Sequence, residues 1–457
     1  MSKIFAAKAA SAKTLRVVGA KSLDSDLASL TEAARAFVGR TGFKAGAGEM
    51  LVLPEGSGAD AILGLGDGND PSAFGNAAFY LEADDWQIDG LPDSLDPTQV
   101  MVAFAMGSYR FDRYKKAPRK PARLMPVDGA DVDEAERIAK SIFLARDMVN
   151  TPADDMGPAG IETAVQAVAD EFGAKVRVTR GDQLLTDNYP MIHAVGRAAD
   201  EAPRLIEMEW GDESHPRVAL VGKGVSFDSG GLDIKPAAGM RLMKKDMGGA
   251  ANALALARLI MDAQLPVRLH LLISAVENAI SGNAFRPGDI LDSRAGMTVE
   301  IDNTDAEGRL VLGDALARAT EEDIDLVMDF ATLTGAARIA LGADLAPFYT
   351  DDEALADAIN QGSVEAADPV WRMPLWDGYD SQLDGMISDL KNTGDSGLAG
   401  SITAALFLRR FVKGKRWAHF DIFAWNPKDR PGRPMGGEML GSRAAWSALK
   451  SLYGAKG

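Results

Sequence analysis

The sequence predicts an α/β protein in two parts. A smaller N-terminal α/β domain spans residues 1–132, and a larger domain spans 133–457. The larger one is expected to carry a mixed, mostly parallel sheet covered by helices on both faces. Three observations lead there. The chain has 457 residues, more than one ordinary hydrophobic core accommodates. Short apolar runs alternate with amphipathic stretches along its length, the pattern of buried strands between covering helices. A polar, proline-bearing stretch around residues 115–133 separates an irregular first part from a longer, more regular second part.

In the first part, Leu15–Val18, Met50–Leu53 and Ala61–Leu65 read as strands. The spacing of Leu27, Leu30, Ala33, Ala34 and Phe37 predicts a helix over Leu27–Val38. Gly64-Leu65-Gly66-Asp67-Gly68 has neither the Lys-Ser/Thr of a phosphate loop nor a full dinucleotide fingerprint, so it reads as a turn. The basic run from Lys115 to Pro121 reads as a solvated linker. Ile138, Ile142, Ala145 and Met148 predict a helix over Val132–Val149, which Asn150-Thr151-Pro152 ends.

Beyond Gly157 the expected strands are Val176–Val178, Leu205–Glu209, Val218–Val221, Val267–Ile273, Thr298–Ile301, Leu326–Phe330 and Ala418–Ile422. The expected helices are Ala159–Phe172, Gly249–Ile260, Leu310–Thr320, Glu353–Ile359 and Gly400–Val412. Sites in open α/β sheets lie past the carboxyl ends of strands, which is where this reading places Asp305–Arg309.

Composition narrows the function classes. Asp and Glu number 66 against 49 Lys and Arg, a formal charge of −17, which repels nucleic acid and anionic membrane. There is no cysteine, so disulfides and thiolate ligands are excluded. Between Lys3 and Lys8 only Ile4-Phe5-Ala6-Ala7 is apolar, too short for a secretory signal. No run reaches the ~18–20 apolar residues of a membrane span. A cytoplasmic, soluble protein without membrane partners is expected.

The chemistry concentrates in three glycine-bearing stretches. In Asn303-Thr304-Asp305-Ala306-Glu307-Gly308-Arg309-Leu310, Asp305 and Glu307 stand two apart and, read as extended backbone, converge on one side. Like charges held that close require a cation or a proton, and Arg309 is at hand as a counter-ion. The second stretch, Val218–Gly231, runs an apolar strand into Lys223 and then Asp228. A Lys223–Asp228 ion pair bracing a turn explains it, as does a lysine deprotonated at a metal. In the third, Asp246 precedes a small-residue helix start and fits an N-cap, while Lys235 alone reads as a surface residue. Together, Asp228, Asp246, Asp305 and Glu307 exceed one acid/base pair and suit two divalent cations ~3.5–4 Å apart. His193, His215, His270 and His419 form no ligand-spaced cluster; His270 and His419 read as core residues.

These stretches resemble the leucyl aminopeptidase family of two-metal cytosolic aminopeptidases. The signature NTDAEGRL from Asn303 is joined by GKGVSFDSGG from Gly222, IKP from Ile234 and KKDMGGAA from Lys244. ATLTGA from Ala331, SDLKN from Ser388 and AGSITAALFL from Ala399 follow in order, so the resemblance spans residues 133–457. It implies a tight metal site of Lys223, Asp228, Asp246 and Glu307. A looser site would use Asp228, Asp305 and Glu307, so that Asp228 and Glu307 bridge. It implies zinc or manganese as the paired ions in each subunit, a neutral Lys223, and a water activated between the ions. Lys235 would stabilise the oxyanion, and Arg309 would hold a bicarbonate that relays the proton. Met243, Thr332, Leu333, Gly335 and Ala424 would shape the substrate pocket, with leucine-like N-terminal residues preferred.

The resemblance further implies peptide substrates and a homohexamer. The segment from Ile422 to Glu438 departs from the commoner family ending, and Ser226 stands where threonine is common. Two other readings stay open: a non-catalytic assembly or DNA-binding member of the family, and a two-metal phosphoesterase.

Overall fold

The structure, a computed structural model, describes residues 4–7, 12–68 and 70–454; Lys3 and Lys8 lie outside the described residues. It divides into two compact units, Met1–Phe143 with Asn426–Gly436, and Leu144–Trp425 with Gly437–Gly457. No helix among the described residues is long and apolar enough to cross a membrane.

The first unit is built on β1 (Lys13–Val18), β2 (Met50–Val52), β3 (Ala61–Gly64), β4 (Asp85–Asp89) and β5 (Arg123–Leu124). They form one sheet in the order β2-β3-β1-β4-β5, parallel except for the β2–β3 pair. The helix expected over Leu27–Val38 is displaced. A four-residue helix, Leu23–Asp26, precedes a turn, and the main helix is Glu32–Thr41. Thr31 sets its start, its hydroxyl accepting Ala34 N–H at 3.3 Å, so the cap outweighs the apolar spacing. Leu27 and Leu30 are still buried, but in the turn. The helix Pro97–Ser108 escapes a periodicity reading because Val100–Gly107 are all buried and offer no polar face. The chain returns to this unit late. At Gly75 an added Cβ would lie 2.0 Å from the amide nitrogen of Gly432.

The second unit carries an eight-stranded sheet. In chain order its strands are β6 (Lys175–Arg180), β7 (Arg204–Trp210), β8 (Arg217–Asp228) and β9 (Arg268–Asn278). Between these and the rest of the sheet come β10 (Ile290–Asp292) and β11 (Thr298–Glu300), which belong elsewhere. β12 (Leu326–Ala331), β13 (Ala346–Tyr349) and β14 (Val370–Arg372) follow, then β15 (Leu390–Lys391) outside the sheet and β16 (Trp417–Asp421) within it. The order is β14-β13-β16-β12-β8-β9-β7-β6, and the middle four are parallel. Their carboxyl ends, Asp421, Ala331, Asp228 and Asn278, therefore meet along one edge.

Alternate residues of β8 face opposite sides. Gly222 faces the helix Gly248–Asp262, where a Cβ would lie 2.7 Å from Ala250 Cα, whereas Lys223 faces the helix Glu307–Ala319 at Gly308. The two helices thus cover opposite faces, as expected. Beneath the second lies a core that includes Val221, Val225, Leu272, Leu310, Val311 and Leu406.

Three expectations need correction. Thr298–Ile301 is no part of the main sheet; β11 pairs with β10 and β15 in a separate three-stranded sheet, its strands being only two or three residues long. The strand expected over Val218–Val221 continues to Asp228, so Lys223 lies within it rather than past its end. Asp305 and Glu307 are not on extended backbone: Asp305 is in a turn and Glu307 is the first residue of a helix.

Close helix-to-strand packing depends on Gly249, where a Cβ would sit 2.1 Å from the Phe330 carbonyl oxygen. The Gly249→Ala variant is expected to lose about 1–3 kcal/mol. A lowered midpoint for the second unit in chemical denaturation would verify this, and an unchanged midpoint would refute it.

Candidate metal centre and active site

Lys223 is 2% exposed inside β8. Its Nζ lies 2.7 Å from Asp246 Oδ2 and 2.8 Å from Glu307 Oε1, and donates to the Thr332 carbonyl at 3.1 Å. It reaches them because residue 308 is glycine: a Cβ there would be 2.7 Å from Nζ. The turn-bracing Lys223–Asp228 pair considered from sequence is not formed. Asp228 instead receives Lys235, at 2.8 Å, and Lys235 also contacts Asp305. The surface reading of Lys235 therefore does not hold.

A bulge between Val225 and Asp228 re-aims the end of β8, and Asp228 Oδ1 accepts Gly230 N–H and Asn278 Nδ2, both at 2.9 Å. Gly230 and Gly231 then take φ of 89° and 65°, turning the chain back so that Lys235 N–H meets the Ser229 carbonyl at 2.9 Å. The Thr304 hydroxyl donates to the Gly230 carbonyl at 2.6 Å, tying the Asp305 turn to that loop. Asp246 lies in a 3₁₀ turn, Met243–Met247. It caps no helix; its Oδ1 accepts the Thr332 hydroxyl at 2.7 Å. The N-cap reading is thereby excluded.

Oxygen atoms of Asp228, Asp305 and Glu307 lie within 4.8 Å of one another. Asp246 joins them through Lys223. Four carboxylates against the ammoniums of Lys223 and Lys235 leave a formal surplus of two negative charges. Burial, then repulsion from Asp228, pushes Glu307 up to about 8 and Asp305 up to about 6. Burial opposes the Lys223 charge, but Asp246, Glu307 and Asp228 outweigh it and hold the ammonium above its ordinary value. Burial likewise opposes the Asp246 charge, and Lys223 and Lys245 prevail, lowering it.

Asp246 Oδ2, Asp305 Oδ1 and Glu307 Oε1 accept no well-aligned hydrogen bond, although a lysine stands beside each. The distances establish ionic contact; the angles leave these lone pairs open. Buried carboxylate oxygens with open lone pairs and surplus negative charge fit hard divalent cations.

Arg309 sits behind Glu307, 7% exposed. It donates to the Asn392 carbonyl at 2.7 Å, and its Nε is unpartnered. Among the described residues no carboxylate pairs with it, so it is not a structural counter-ion to the acids. Burial pulls its guanidinium down to about 10, against Asp421 and Glu307.

A cavity of about 360 Å³ opens beside the cluster. Met243, Thr332, Leu333 and Gly335 border it, as do Lys223, Asp228, Lys235, Asp246 and Asp305. Ala424 does not border it; Ala424 is fully buried with φ of 53° and packs on Gly248, while Phe423 faces the cavity. Asp421 fixes the loop after β12, accepting Leu333 N–H and Thr334 N–H, both at 3.0 Å. His270 is a core residue bonded to Glu207 and Arg217; His419 is buried against Asp329 at 2.6 Å.

Sequence reasoning gave no role to Phe423, Lys245, Asn278, Asn392 or Asp421. Lys245, in a Lys-Lys-Asp run, is 5% exposed, and burial lowers its ammonium to about 8. Lys245 and Asn392 carried a signal, inside the KKDMGGAA and SDLKN blocks.

Family models match both parts of the chain. The model described as "Cytosol aminopeptidase family, catalytic domain" matches residues 143–444, and "M17 aminopeptidase, N-terminal domain" matches residues 14–126. A probable cytosol aminopeptidase of Syntrophotalea carbinolica is 38% identical over 442 residues, 90% of this chain and 88% of the relative. One from Trichormus variabilis is 41% identical over 342 residues, 72% of this chain and 70% of that protein. The crystal structure of cytosol aminopeptidase from Coxiella burnetii superposes with a TM-score of 0.94 at 45% identity, over 99% of this chain and 100% of that one. The bottromycin maturation enzyme BotP, solved in complex with Mn, gives 0.86 at 33% identity, over 97% and 100%. With both of its family models matched in order and an acidic cluster suited to metal, the chain belongs to the M17 cytosol (leucyl) aminopeptidase family of metallopeptidases.

Proposed function

We propose that this chain removes N-terminal amino acids from peptides with two divalent ions, zinc or manganese, held in the acidic cluster. The observation that carries this reading is the convergence of Asp228, Asp305 and Glu307, with Asp246 linked through Lys223. Lys223, Asp228, Asp246 and Glu307 would hold one ion. Asp228, Asp305 (side chain and carbonyl) and Glu307 would hold the other. When bound, such a pair acidifies a water between the ions and polarises a carbonyl.

The remaining work falls to the chain's own side chains. Lys223 must give up its proton to act as a donor, and Glu307 must be ionised. Lys235, on the cavity wall beside Asp228 and Asp305, would face negative charge developing on the scissile carbonyl oxygen. A free, neutral α-amine of the substrate would bind at one of the ions, which restricts cleavage to the first residue of a peptide. Arg309, buried without a carboxylate partner, suits a small anion, and bicarbonate is assigned there as proton relay. Met243, Leu333 and Ile422 supply an apolar wall that accommodates leucine-like side chains, with Thr332 and Gly335 beside it. A homohexamer in the cytoplasm, without membrane or nucleic-acid partners, completes the reading.

A peptide-library digest with zinc, manganese or cobalt tests the activity. Release of N-terminal residues, its loss on chelation, and survival of N-acetylated peptides are expected. Hydrolysis of a phosphate ester with peptides untouched would replace this reading with a phosphoesterase.

Arg309→Met is expected to lower kcat by about tenfold or more with little change in KM. Wild-type enzyme stripped of carbonate should regain rate when bicarbonate is added. Equal rates with and without it would remove the relay.

Metal loading should weaken as pH falls. Glu307 is raised to about 8 and Lys223 is raised as well, so both carry protons that a metal must displace. Calorimetric titration between pH 6 and 8.5 should show affinity rising with pH and proton release on binding. Affinity independent of pH would contradict the ligand set.

A further inference from the structure

Lys245 is buried on the cavity wall, yet among the described residues its ammonium donates no hydrogen bond. The nearest carboxylate oxygen, Asp246 Oδ1, is 3.9 Å away, beyond hydrogen-bond range, and already accepts the Thr332 hydroxyl. Asp246 Oδ2 is in ionic contact with Lys223 at 2.7 Å. The Lys245 ammonium rests 5.1 Å from the centre of the Phe423 ring, and the Arg338 guanidinium also lies 5.1 Å from it. Arg338 borders the same cavity and makes no ion pair among the described residues. Two cations therefore share one aromatic ring on a cavity wall: the exposed Arg338 makes no ion pair among the described residues, and Lys245 has only the long contact to Asp246. A ring face recovers only part of the cost of burying an ammonium, so the arrangement is complete only when an anion enters.

We infer that Lys245 and Arg338, braced by Phe423, form a subsite for a carboxylate of the peptide substrate. The inference rests on the aminopeptidase reading above and deepens it. The carboxylate is carried either by an acidic N-terminal residue or by the free C-terminus of a dipeptide. Lys245 stands two residues from Met243 and adjoins Asp246, beside the cluster that would receive the amino end, which favours the acidic side chain. The apolar wall and this charged end together admit two substrate classes, leucine-like and acidic.

The test compares kcat/KM of the metal-loaded enzyme on glutamyl, glutaminyl and leucyl amides, and on leucyl-leucine with a free or amidated C-terminus. Wild-type enzyme is expected to favour glutamyl over glutaminyl amide by about tenfold or more, through KM. Lys245→Met should collapse that ratio, and Lys245→Arg should keep it. If the ratio that collapses is instead the one between free and amidated leucyl-leucine, the subsite reads the C-terminus. Parity of all these pairs in the wild type overturns the subsite without needing a folded variant. So does a Lys245→Met enzyme slowed equally on every substrate, the signature of mere support for Asp246. A wild-type enzyme that releases no N-terminal residue from any of them refutes the aminopeptidase reading itself.

Discussion

The site depends on one buried ammonium. Lys223 lies in the middle of the sheet's longest strand, surrounded by carboxylates of Asp246 and Glu307 at 2.7 and 2.8 Å. Without it, four acids within one small volume would repel one another and disrupt the loops that carry them. With it and Lys235, the acids are held close while their formal charge is only half neutralised. Lys235 plays the complementary part on the cavity side, holding Asp228 and Asp305. The two lysines hold the acids together, and divalent ions bound there would compete with them for the same carboxylates.

The scaffold makes this crowding possible by bringing several backbones unusually close. Gly222 and Gly249 let a helix lie directly on β8 and β12, and Gly308 leaves room for the lysine on the opposite face. Four parallel strands end along one edge, so Asp228, Asn278, Thr332 and Asp421 are neighbours although far apart in sequence. The Asp305–Arg309 stretch reaches that edge from the separate small sheet. Asn392 clamps its turn, accepting Asp302 N–H at 2.8 Å and donating to the Asn303 carbonyl at 2.7 Å.

Much of this was legible in the sequence because the candidate ligands come in short blocks with glycines beside them. Lys223 and Asp228, Asp246, and Asp305 and Glu307 each sit in a stretch that makes no sense as solvated surface. Their convergence was legible; the way they converge was not, since Asp305 and Glu307 meet through a turn and a helix start rather than a strand. The alternation of strands and helices identified the fold class. It missed β11's separate sheet because two- and three-residue strands carry no periodicity, and it misplaced one helix because it weighed apolar spacing above the Thr31 cap. The cavity wall was the least legible part. Phe423 faces the cavity only because Ala424 turns the chain in the left-handed region, and Lys245 is buried despite a lysine neighbour. Both facts depend on tertiary packing that no local pattern encodes.

The return of Asn426–Gly436 to the first unit has a consequence for the order in which the protein is made. A ribosome emits residues 1–143 first, but the surface around Gly75 that receives Gly432 stays bare until almost the whole chain has emerged. The N-terminal unit, oldest in synthesis, is thus among the last to be completed. It must persist in unfinished form while more than 280 intervening residues, Leu144–Trp425, are translated. A chain truncated anywhere between Leu144 and Gly432 would lack the backbone that packs on Gly75 and so leave the first unit incomplete.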